Sequence, residues 1–220
     1  MKIVGFIFSF LFFIAAGAAI ISYAAGYKID LVSRQIKQTG MIEVQTKTKD
    51  SAIYLNGELR GAESVVIRDL SPGQYDVLVS KEGYHDWSKK VELQAGRVEI
   101  LNDVVLFLKE PIIEEFVSDI NSDSLFKLAD TDGLALNGSE IIQNNLFVTR
   151  LNTEIFGVCW YPNRKYIAFT TQKKLNVIEI DGSNQVEILE KDSDSPVVFV
   201  NSGMSMIFKS GDKFYRSVIR

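Results

Sequence analysis

The chain is poor in the residues that build most catalytic and metal sites. Its 220 residues include one cysteine, Cys159, and one histidine, His85. This composition excludes an internal disulfide, a cysteine-based metal cluster and most hydrolase triads. The sequence contains no GxSxG, HExxH, phosphate-binding glycine loop or dinucleotide fingerprint. We expect no enzyme activity, no metal and no cofactor; a paired-carboxylate glycosidase stays open, although no residue pair points to one.

An excess of positive charge is also missing. The 24 Lys and Arg residues are scattered among 28 Asp and Glu residues, and the formal net charge is −4. Because no basic stripe interleaved with aromatic residues occurs, we do not expect nucleic acid as a partner. Cys159 lies between Val158 and Trp160 with no histidine near it in sequence, so we expect a buried hydrophobic residue rather than a reactive thiol.

A long apolar segment is present near the N-terminus. Residues 3–27 contain no charged residue, and they exceed the roughly 20 residues that cross a bilayer core. We expect an uncleaved transmembrane helix at 1–27. A signal peptide is the alternative, because Ser22-Tyr23-Ala24 and Ala16-Gly17-Ala18 offer small residues for cleavage. Residues 28–40 are polar and predict a juxtamembrane stalk or a short helix.

Charges around the apolar segment give a weak topology signal. Lys2 precedes it and three basic residues follow within 28–37, so the positive-inside rule would leave the C-terminal part in the cytoplasm. Long domains are translocated largely regardless of charge, and we expect the soluble part to be extracytoplasmic. The spacing of Gly5 and Ser9 would also let two helices associate.

Residues 41–110 carry the pattern of a small all-β domain. Two turns are predicted, a type I′ turn at Asn56-Gly57 and a type II turn at Pro72-Gly73. Alternation predicts two core-facing sets, which are Tyr75, Val77 and Val79 in one stretch and Trp87, Lys89, Val91 and Leu93 in another. Six short stretches predict an antiparallel β-sandwich; they are MIEVQ, AIYLNG, SVVIRDL, QYDVLVS, WSKKVELQ and RVEILNDVVLFL.

Residues 41–108 contain an ordered set of turn, aromatic and apolar residues, namely Tyr54, Gly57, Pro72, Gly73, Tyr75, Val77, Val79, Gly83, Tyr84 and Trp87. With this set the segment resembles the PEGA domain, a small β-sandwich module of bacterial and archaeal surface proteins. The namesake Pro-Glu-Gly-Ala turn is replaced by Lys49-Asp50-Ser51-Ala52, which affects the local turn more than the fold. The resemblance implies a sandwich displayed at a cell surface.

The stretch GYHDW at 83–87 could line a pocket or complete a core. Gly83 is expected to adopt a positive φ angle that a side chain would make costly. Tyr84 and Trp87 are expected to pack over the sheet, since each ring buries roughly 150–250 Å². His85 is expected in a solvated turn beside Asp86, where it has no metal-binding partner. We therefore expect packing here rather than ligand binding, and we assign no binding residue.

An internal repeat marks the region 111–220. Trp160 aligns with Phe199 and Phe169 with Phe208, each pair 39 residues apart. A period near 40 with several short strands is typical of one blade of a β-propeller. The stretch WYPNRKYIAFTT resembles the repeat of TolB-like and WD40-like propellers, with Asn163-Arg164 in place of the usual Asp-Gly. The segment DGLALNGSEIIQNNLFVTRL resembles the second half of the same unit.

The repeat region is too short to close a ring. About 105 residues supply two to three blades, whereas a propeller needs at least four. We expect an incomplete, antiparallel propeller-like region; truncation of a longer protein, pairing with another chain and packing on the sandwich all stay open. Its last strand, KFYRSVIR, is expected to be an exposed edge protected by Lys213, Arg216 and Arg220, and this edge would allow self-association.

Clusters of acidic residues give no clear site. The sequence from Asp130 to Gly133 resembles part of a calcium loop, but the spacing of an EF-hand is absent. We expect a tight turn there. Glu114-Glu115 and Glu190-Lys191-Asp192 are expected to be solvated charge runs.

Together these features predict a mainly β, single-pass membrane protein. The expected function is non-catalytic, with β modules displayed at the cell envelope for a structural or binding role. The expected partners are the membrane and cell-wall polymer or an envelope protein. The alternative is a sensor that binds a small ligand at the sandwich–blade junction; it would need a partner in the membrane, because only Met1 and Lys2 precede the helix.

Overall fold

The computed structural model describes residues 2–30, 35–116, 124, 127–192, 195 and 197–220. One exposed apolar helix, α1 (Lys2–Ala24), precedes β-strands grouped in several sheets. The expected mainly β fold with an N-terminal helix is thus confirmed. Within the described ranges, Gly5–Ala24 is one helix that is long and apolar enough to cross a membrane, and an anchor or a signal sequence both fit it.

A short antiparallel hairpin follows the helix. Its strands are β1 (Tyr27–Asp30) and β2 (Gln35–Gln38), and residues 31–34 lie outside the described part. The prediction of a short helix within 28–40 is therefore wrong. Gly26 has a φ of 80°, a left-handed conformation that ends α1, and the backbone N–H of Thr39 donates to the Gly26 carbonyl at 2.9 Å.

The predicted sandwich consists of two packed sheets. Their strand orders are β6-β3-β9 and β5-β4-β7-β8. The bounds are β3 (Gly40–Thr46), β4 (Ala52–Leu55), β5 (Glu58–Ala62), β6 (Ser64–Leu70), β7 (Gly73–Ser80), β8 (Trp87–Leu93) and β9 (Val98–Val104). Two details differ from expectation. β5 is an additional strand, and β3 pairs with β9 in parallel, so the sandwich is not purely antiparallel.

Most predictions made from local sequence patterns in the sandwich are confirmed. Val77 and Val79 are buried in the core, and Trp87, Val91 and Leu93 are buried with them. The type I′ turn is present, since Asn56 and Gly57 have φ angles of 51° and 80°. The prediction of a type II turn at Pro72-Gly73 is wrong. Gly73 has a φ of 154° instead of the +80° that such a turn requires, because it already pairs with Leu93 in the sheet.

The strand directions define two ends of the sandwich. We call the end near the helix the base; it contains the start of β3 at Gly40, the end of β6 at Leu70 and the start of β9 at Val98. The opposite end, the top, contains the end of β7 at Ser80 and the start of β8 at Trp87. The helix therefore joins at the base, and the GYHDW stretch lies at the top.

Three antiparallel C-terminal sheets follow. The first has the order β11-β12-β13, the second β14-β15-β16-β17 and the third β10-β20-β19-β18. Their strands are β10 (Ile112–Glu115), β11 (Leu134–Asn137), β12 (Glu140–Gln143), β13 (Leu146–Arg150), β14 (Gly157–Trp160), β15 (Tyr166–Thr170), β16 (Lys174–Glu179), β17 (Val186–Glu190), β18 (Val198–Val200), β19 (Ser205–Ser210) and β20 (Lys213–Val218).

These sheets repeat and stack face to face. β15 and β19 begin 39 residues apart, as do β16 and β20. Ile167 and Phe169 pack with residues of the first sheet. The residues 39 positions later, Met206 and Phe208, pack with residues of the second sheet. Each repeat thus presents its equivalent face to the sheet before it, although the described residues form no closed propeller.

The expectation of an exposed C-terminal strand is wrong. β20 has partners on both sides, β19 on one and β10 on the other. Glu114 and Glu115 are exposed as expected, but they belong to β10, and Glu115 forms an ion pair with Lys213 at 2.9 Å. Because β10 pairs with β20, the strand KFYRSVIR is not a free edge of its sheet.

Candidate functional site at the junction of the two regions

One segment belongs to both hydrophobic cores. Val104 and Leu106 are buried in the sandwich core, whereas Val105 and Phe107 are buried between the second and third C-terminal sheets. Successive side chains of an extended chain point to opposite sides. The segment 104–107 therefore fills two cores at once and makes the sandwich and the C-terminal sheets contiguous.

The GYHDW stretch lies against this segment. Gly83 has the expected positive φ, at 80°. The backbone N–H of His85 donates to the Phe107 carbonyl at 2.8 Å, and that of Lys109 donates to the Gly83 carbonyl at 2.9 Å. Tyr84 is half-buried against the sandwich core, as expected. The stretch is thus bonded to the connecting segment on its backbone side.

Trp87 makes a polar contact across the junction. The residue is 3% exposed, and its Nε1–H donates to Oε1 of Glu179, at the end of β16, at 2.8 Å. Oε2 of Glu179 accepts bonds from Lys89 Nζ at 3.1 Å and from Ser183 Oγ at 2.8 Å. Both carboxylate oxygens of Glu179 are therefore occupied, and a buried charge needs such partners.

Electrostatics reinforce the same contact. Lys89 also forms an ion pair with Asp181 at 2.7 Å. Burial lowers the pKa of Lys89, but the carboxylates of Asp181 and Glu179 outweigh burial and raise it above its usual value. Burial raises the pKa of Asp181, and the bonds from Lys89 and Ser183 outweigh burial and lower it. Both groups stay charged at neutral pH.

His85 differs from its expected solvated position. The side chain is half-buried, with Nε2 enclosed and unpartnered, and it lies with Trp87, Phe107 and Asn184 around a cavity of about 10 Å³. Burial lowers the pKa of His85, and the charge of Lys109 lowers it further. The turn is covered because the C-terminal sheets pack on the top of the sandwich.

A cluster of aromatic rings completes the junction. Phe107 makes edge-to-face contacts with Tyr161 and Tyr166, at centroid distances of 5.6 and 5.7 Å. The hydroxyl oxygen of Tyr166 accepts a bond from the Val105 N–H at 3.1 Å. Burial raises the pKa of the Tyr166 hydroxyl well above its usual value. Burial also raises the pKa of Tyr161, so both hydroxyl groups stay protonated at neutral pH, and that of Tyr161 donates to the Gly203 carbonyl at 3.1 Å.

A polar cavity opens beside the rings. Its volume is about 200 Å³, and residues of both regions line it. Lys47 and Asp103 belong to the sandwich and form an ion pair at 3.4 Å. The C-terminal part contributes Tyr161, Ser202 and Arg220. This cavity is lined by two basic side chains, the Asp103 carboxylate and the Ser202 hydroxyl, and it lies at the junction where the alternative hypothesis of a sensor would place a ligand.

The stretch from Asp130 to Gly133, which resembles part of a calcium loop, makes contacts with other residues of the protein. Arg164 forms ion pairs with Asp130 at 2.7 Å and Asp132 at 3.4 Å. Trp160 Nε1–H donates to the carbonyl of Asp132 at 2.8 Å. A tight turn between Asp130 and Gly133 is confirmed. Across the residues placed in the structure, no group of three or more His, Cys, Asp or Glu side chains could hold a metal.

Two further expectations have different outcomes. Cys159 is buried as expected, at 2% exposed, and burial raises the pKa of its thiol to about 12. The prediction that Glu190-Lys191-Asp192 is a solvated run is wrong for Lys191. This residue is 2% exposed, and its Nζ donates to the Ser195 carbonyl. Glu190 and Asp192 are exposed.

Sequence reasoning missed Glu179 as the central residue of the junction. The available signal was its position, because Glu179 ends the strand KLNVIE directly after four apolar or amide residues. An acidic residue at the end of a buried strand must find partners. Its partner, Trp87, lies 92 positions earlier, and no local pattern identifies such a pair.

The comparisons with known proteins concern the sandwich. The family model described as the PEGA domain matches residues 39–103, which is less than a third of the chain. PEGA domains are generally extracellular. No curated protein matches the chain, and nothing found supports the expected likeness to TolB-like or WD40-like propellers. Residues 39–103 are thus similar to the PEGA domain, and they form the sandwich on which the C-terminal sheets dock.

Proposed function

We propose that this protein is a non-catalytic, membrane-anchored component of the cell envelope. Its helix holds a PEGA-like sandwich at the membrane surface, and the sandwich carries the C-terminal sheets as a rigid extension. Together they serve a structural or binding role toward wall polymer or an envelope protein. We place the C-terminal part outside the cytoplasm although the positive-inside rule alone would place it inside, since long domains are translocated largely regardless of charge.

The observation that carries this proposal is the linear order of the parts. The exposed apolar helix meets the base of the sandwich, and the C-terminal sheets meet its top. The polar residues that suggested chemistry serve internal contacts, as Trp87 does with Glu179 and Arg164 does with Asp130. This order presents the C-terminal sheets at the point farthest from the membrane.

Labelling of an engineered cysteine tests the membrane arrangement. Lys49 is exposed, whereas Cys159 is buried and has a raised thiol pKa. A membrane-impermeant maleimide should label Lys49→Cys in intact cells and leave the unmodified chain unlabelled. Labelling of Lys49→Cys that occurs only after the cells are lysed would contradict the extracytoplasmic placement.

Capture from envelope fractions tests the binding role. The full chain in detergent is expected to retain wall polymer or an envelope protein. A control chain with Glu179→Gln keeps the helix and weakens the junction, so it should retain less. If the full chain retains no envelope material and turns over a glycoside, the non-catalytic proposal fails.

A ligand sensor is the second candidate, favoured by the polar cavity of about 200 Å³ at the junction. Such a sensor would bind a small polar molecule through Lys47, Ser202 and Arg220. In a thermal-shift screen of sugars and carboxylates, a ligand should raise the melting temperature of the chain but not that of Arg220→Ala. A screen in which every hit also stabilises Arg220→Ala would exclude this cavity.

A further inference from the structure

A second cavity lies at the base, between the helix and the sandwich. Its volume is about 490 Å³, within the range of roughly 300–1,000 Å³ found for small-molecule sites. Tyr23 and Ala24 line it from the helix, and Arg68 and Arg97 line it from the sandwich. Two arginine residues thus line a cavity beside the end of a helix that is apolar enough to cross a bilayer.

The short connection between the helix and the sandwich fixes the distance of this cavity from the hydrocarbon core of the bilayer. Only Ala25 and Gly26 separate α1 from β1, a span of at most about 7 Å. The Ala25 and Gly26 carbonyls accept bonds from Gln38 Nε2 at 3.1 Å and Thr39 Oγ1 at 2.9 Å. The polar headgroup layer adds about 5–8 Å outside the hydrocarbon core. The base cavity therefore lies at the level of lipid headgroups.

Arg68 lies in a β-bulge of β6. Gly40 pairs with Leu70 and Ile42 pairs with Ile67, so Arg68 and Asp69 together stand opposite one residue of β3. Asp69 has a φ of 64°, and such bulges re-aim side chains at functional sites. Lys28 neutralises Asp69 through an ion pair at 2.7 Å, which leaves the positive charge of Arg68 in excess.

Close backbone packing brings the second arginine to the same place. Gly40 allows it, because a Cβ atom there would lie 2.8 Å from the Arg97 carbonyl. The Met41 N–H donates to that carbonyl at 3.0 Å. Both Arg68 and Arg97 are exposed, so their guanidinium groups are available to a ligand.

An apolar groove continues from the base cavity along the helix. Ala19, Tyr23, Tyr27 and Ile36 are among the residues that line it, and its volume is about 520 Å³. Tyr23 belongs to both spaces, and Ile36 is 70% exposed. A cationic cavity beside an apolar groove matches a molecule that has a phosphate at one end and a hydrocarbon chain at the other.

We propose that the base binds an anionic phospholipid of the surrounding membrane. Arg68 and Arg97 bind the phosphate of the headgroup, because a guanidinium donates two parallel hydrogen bonds to phosphate oxygens. One acyl chain lies along α1 in the groove. This inference rests on the proposed membrane attachment and adds a specific lipid contact that fixes how the sandwich sits on the bilayer.

Native mass spectrometry of the full chain in detergent micelles tests the proposal. Phosphatidylglycerol is titrated, and a glucosyl diacylglycerol with the same acyl chains serves as the phosphate-free lipid. We expect one retained phosphatidylglycerol per chain and clearly weaker retention of the glycolipid. Equal retention of both lipids would overturn the proposal, as would release of phosphatidylglycerol by millimolar inorganic phosphate, which would indicate a site for free phosphate.

Variants locate the site in the same experiment. Each Arg→Gln change should weaken retention about fivefold, and Arg68→Gln/Arg97→Gln about 25-fold. The control Lys127→Gln/Lys173→Gln removes the same charge from exposed positions in the C-terminal part and should bind as the unmodified chain does. Equal losses in both double variants would refute the assignment to Arg68 and Arg97.

The lipid test is independent of the topology test. Micelles present lipid to the base whichever side of the membrane the sandwich occupies. Failure of labelling at Lys49→Cys would therefore contradict the proposed placement and leave the lipid site standing. Failure of lipid selectivity with normal labelling would contradict the lipid site alone.

Discussion

The sandwich and the C-terminal sheets complete their cores in different ways. The buried sandwich cluster is aliphatic apart from Trp87, and its members come from residues 42–106. The cluster between the second and third C-terminal sheets is richer in aromatic rings and includes Val105 and Phe107 from the connecting segment. The third sheet also takes its outer strand, β10, from before the repeats. The C-terminal sheets thus depend on the chain that joins them to the sandwich.

Two adjacent substitutions give the largest expected effects and separate the two cores. Leu106→Ala should cost about 2–5 kcal/mol and Phe107→Ala about 3–5 kcal/mol of unfolding free energy, since both remove fully packed side chains. Hydrogen exchange should accelerate first in β4 and β7 for Leu106→Ala, and first in β15 and β19 for Phe107→Ala. Identical exchange patterns would remove the distinction between the cores.

A glycine pair tests how tightly the C-terminal sheets are packed. A Cβ atom at Gly203 would lie 2.4 Å from the ring of Tyr161, and its φ is 82°. Gly203→Ala should therefore lose more than the about 1–2 kcal/mol that a left-handed conformation costs a side chain. Gly57→Ala is the matched control, with a φ of 80° and nothing within 4 Å. Equal losses in urea unfolding would contradict close packing at Gly203.

Removal of one charge tests the junction itself. Glu179→Gln should cost about 1–3 kcal/mol, because buried bonds to a charged acceptor are lost or weakened. Glu187→Gln removes a comparable pair with Lys174 at the surface, where solvent screens the charges, so little change is expected. Thermal unfolding of both variants checks this, and a larger loss for Glu187→Gln would count against the junction.

The smallest expected effect concerns pH. The pKa of His85 is lowered from 6.5 by burial and by Lys109, while Asp86 and Glu187 oppose this shift. The unfolded chain then binds more protons than the folded one below about pH 6.5. Stability should be full above that pH and fall as the pH decreases below it. His85→Gln should flatten this part of the profile; an unchanged profile would show that the side chain is solvated.

Short-range signals predicted the sandwich well. Val77 and Val79 share one face of β7, and Trp87, Val91 and Leu93 share one face of β8, because one face of each strand is buried. A period of two identifies such faces. The Asn56-Gly57 turn needs two positive φ angles, which few residue pairs accept. Gly83 was predicted on the same ground. In these places the physical cause lies within a few residues.

Long-range pairing could not be predicted in this way. Nothing local shows that β9 joins β3 in parallel, or that β10 covers β20. All four residues of β10 are exposed, so that strand has no alternating pattern to find. His85 is a turn residue that is half-buried because residues of the distant C-terminal sheets lie beside it. The junction and the base cavity both belong to this class, since each forms between separate elements.

Unfolding of Trp160→Phe in the full chain tests most directly whether the sandwich and the C-terminal sheets form one unit. Trp87 is then the only tryptophan, and its emission reports the junction while circular dichroism reports all of the sheets. We predict a single denaturant transition with the same midpoint for both signals. A Trp87 transition clearly separated from the loss of sheet would contradict the account.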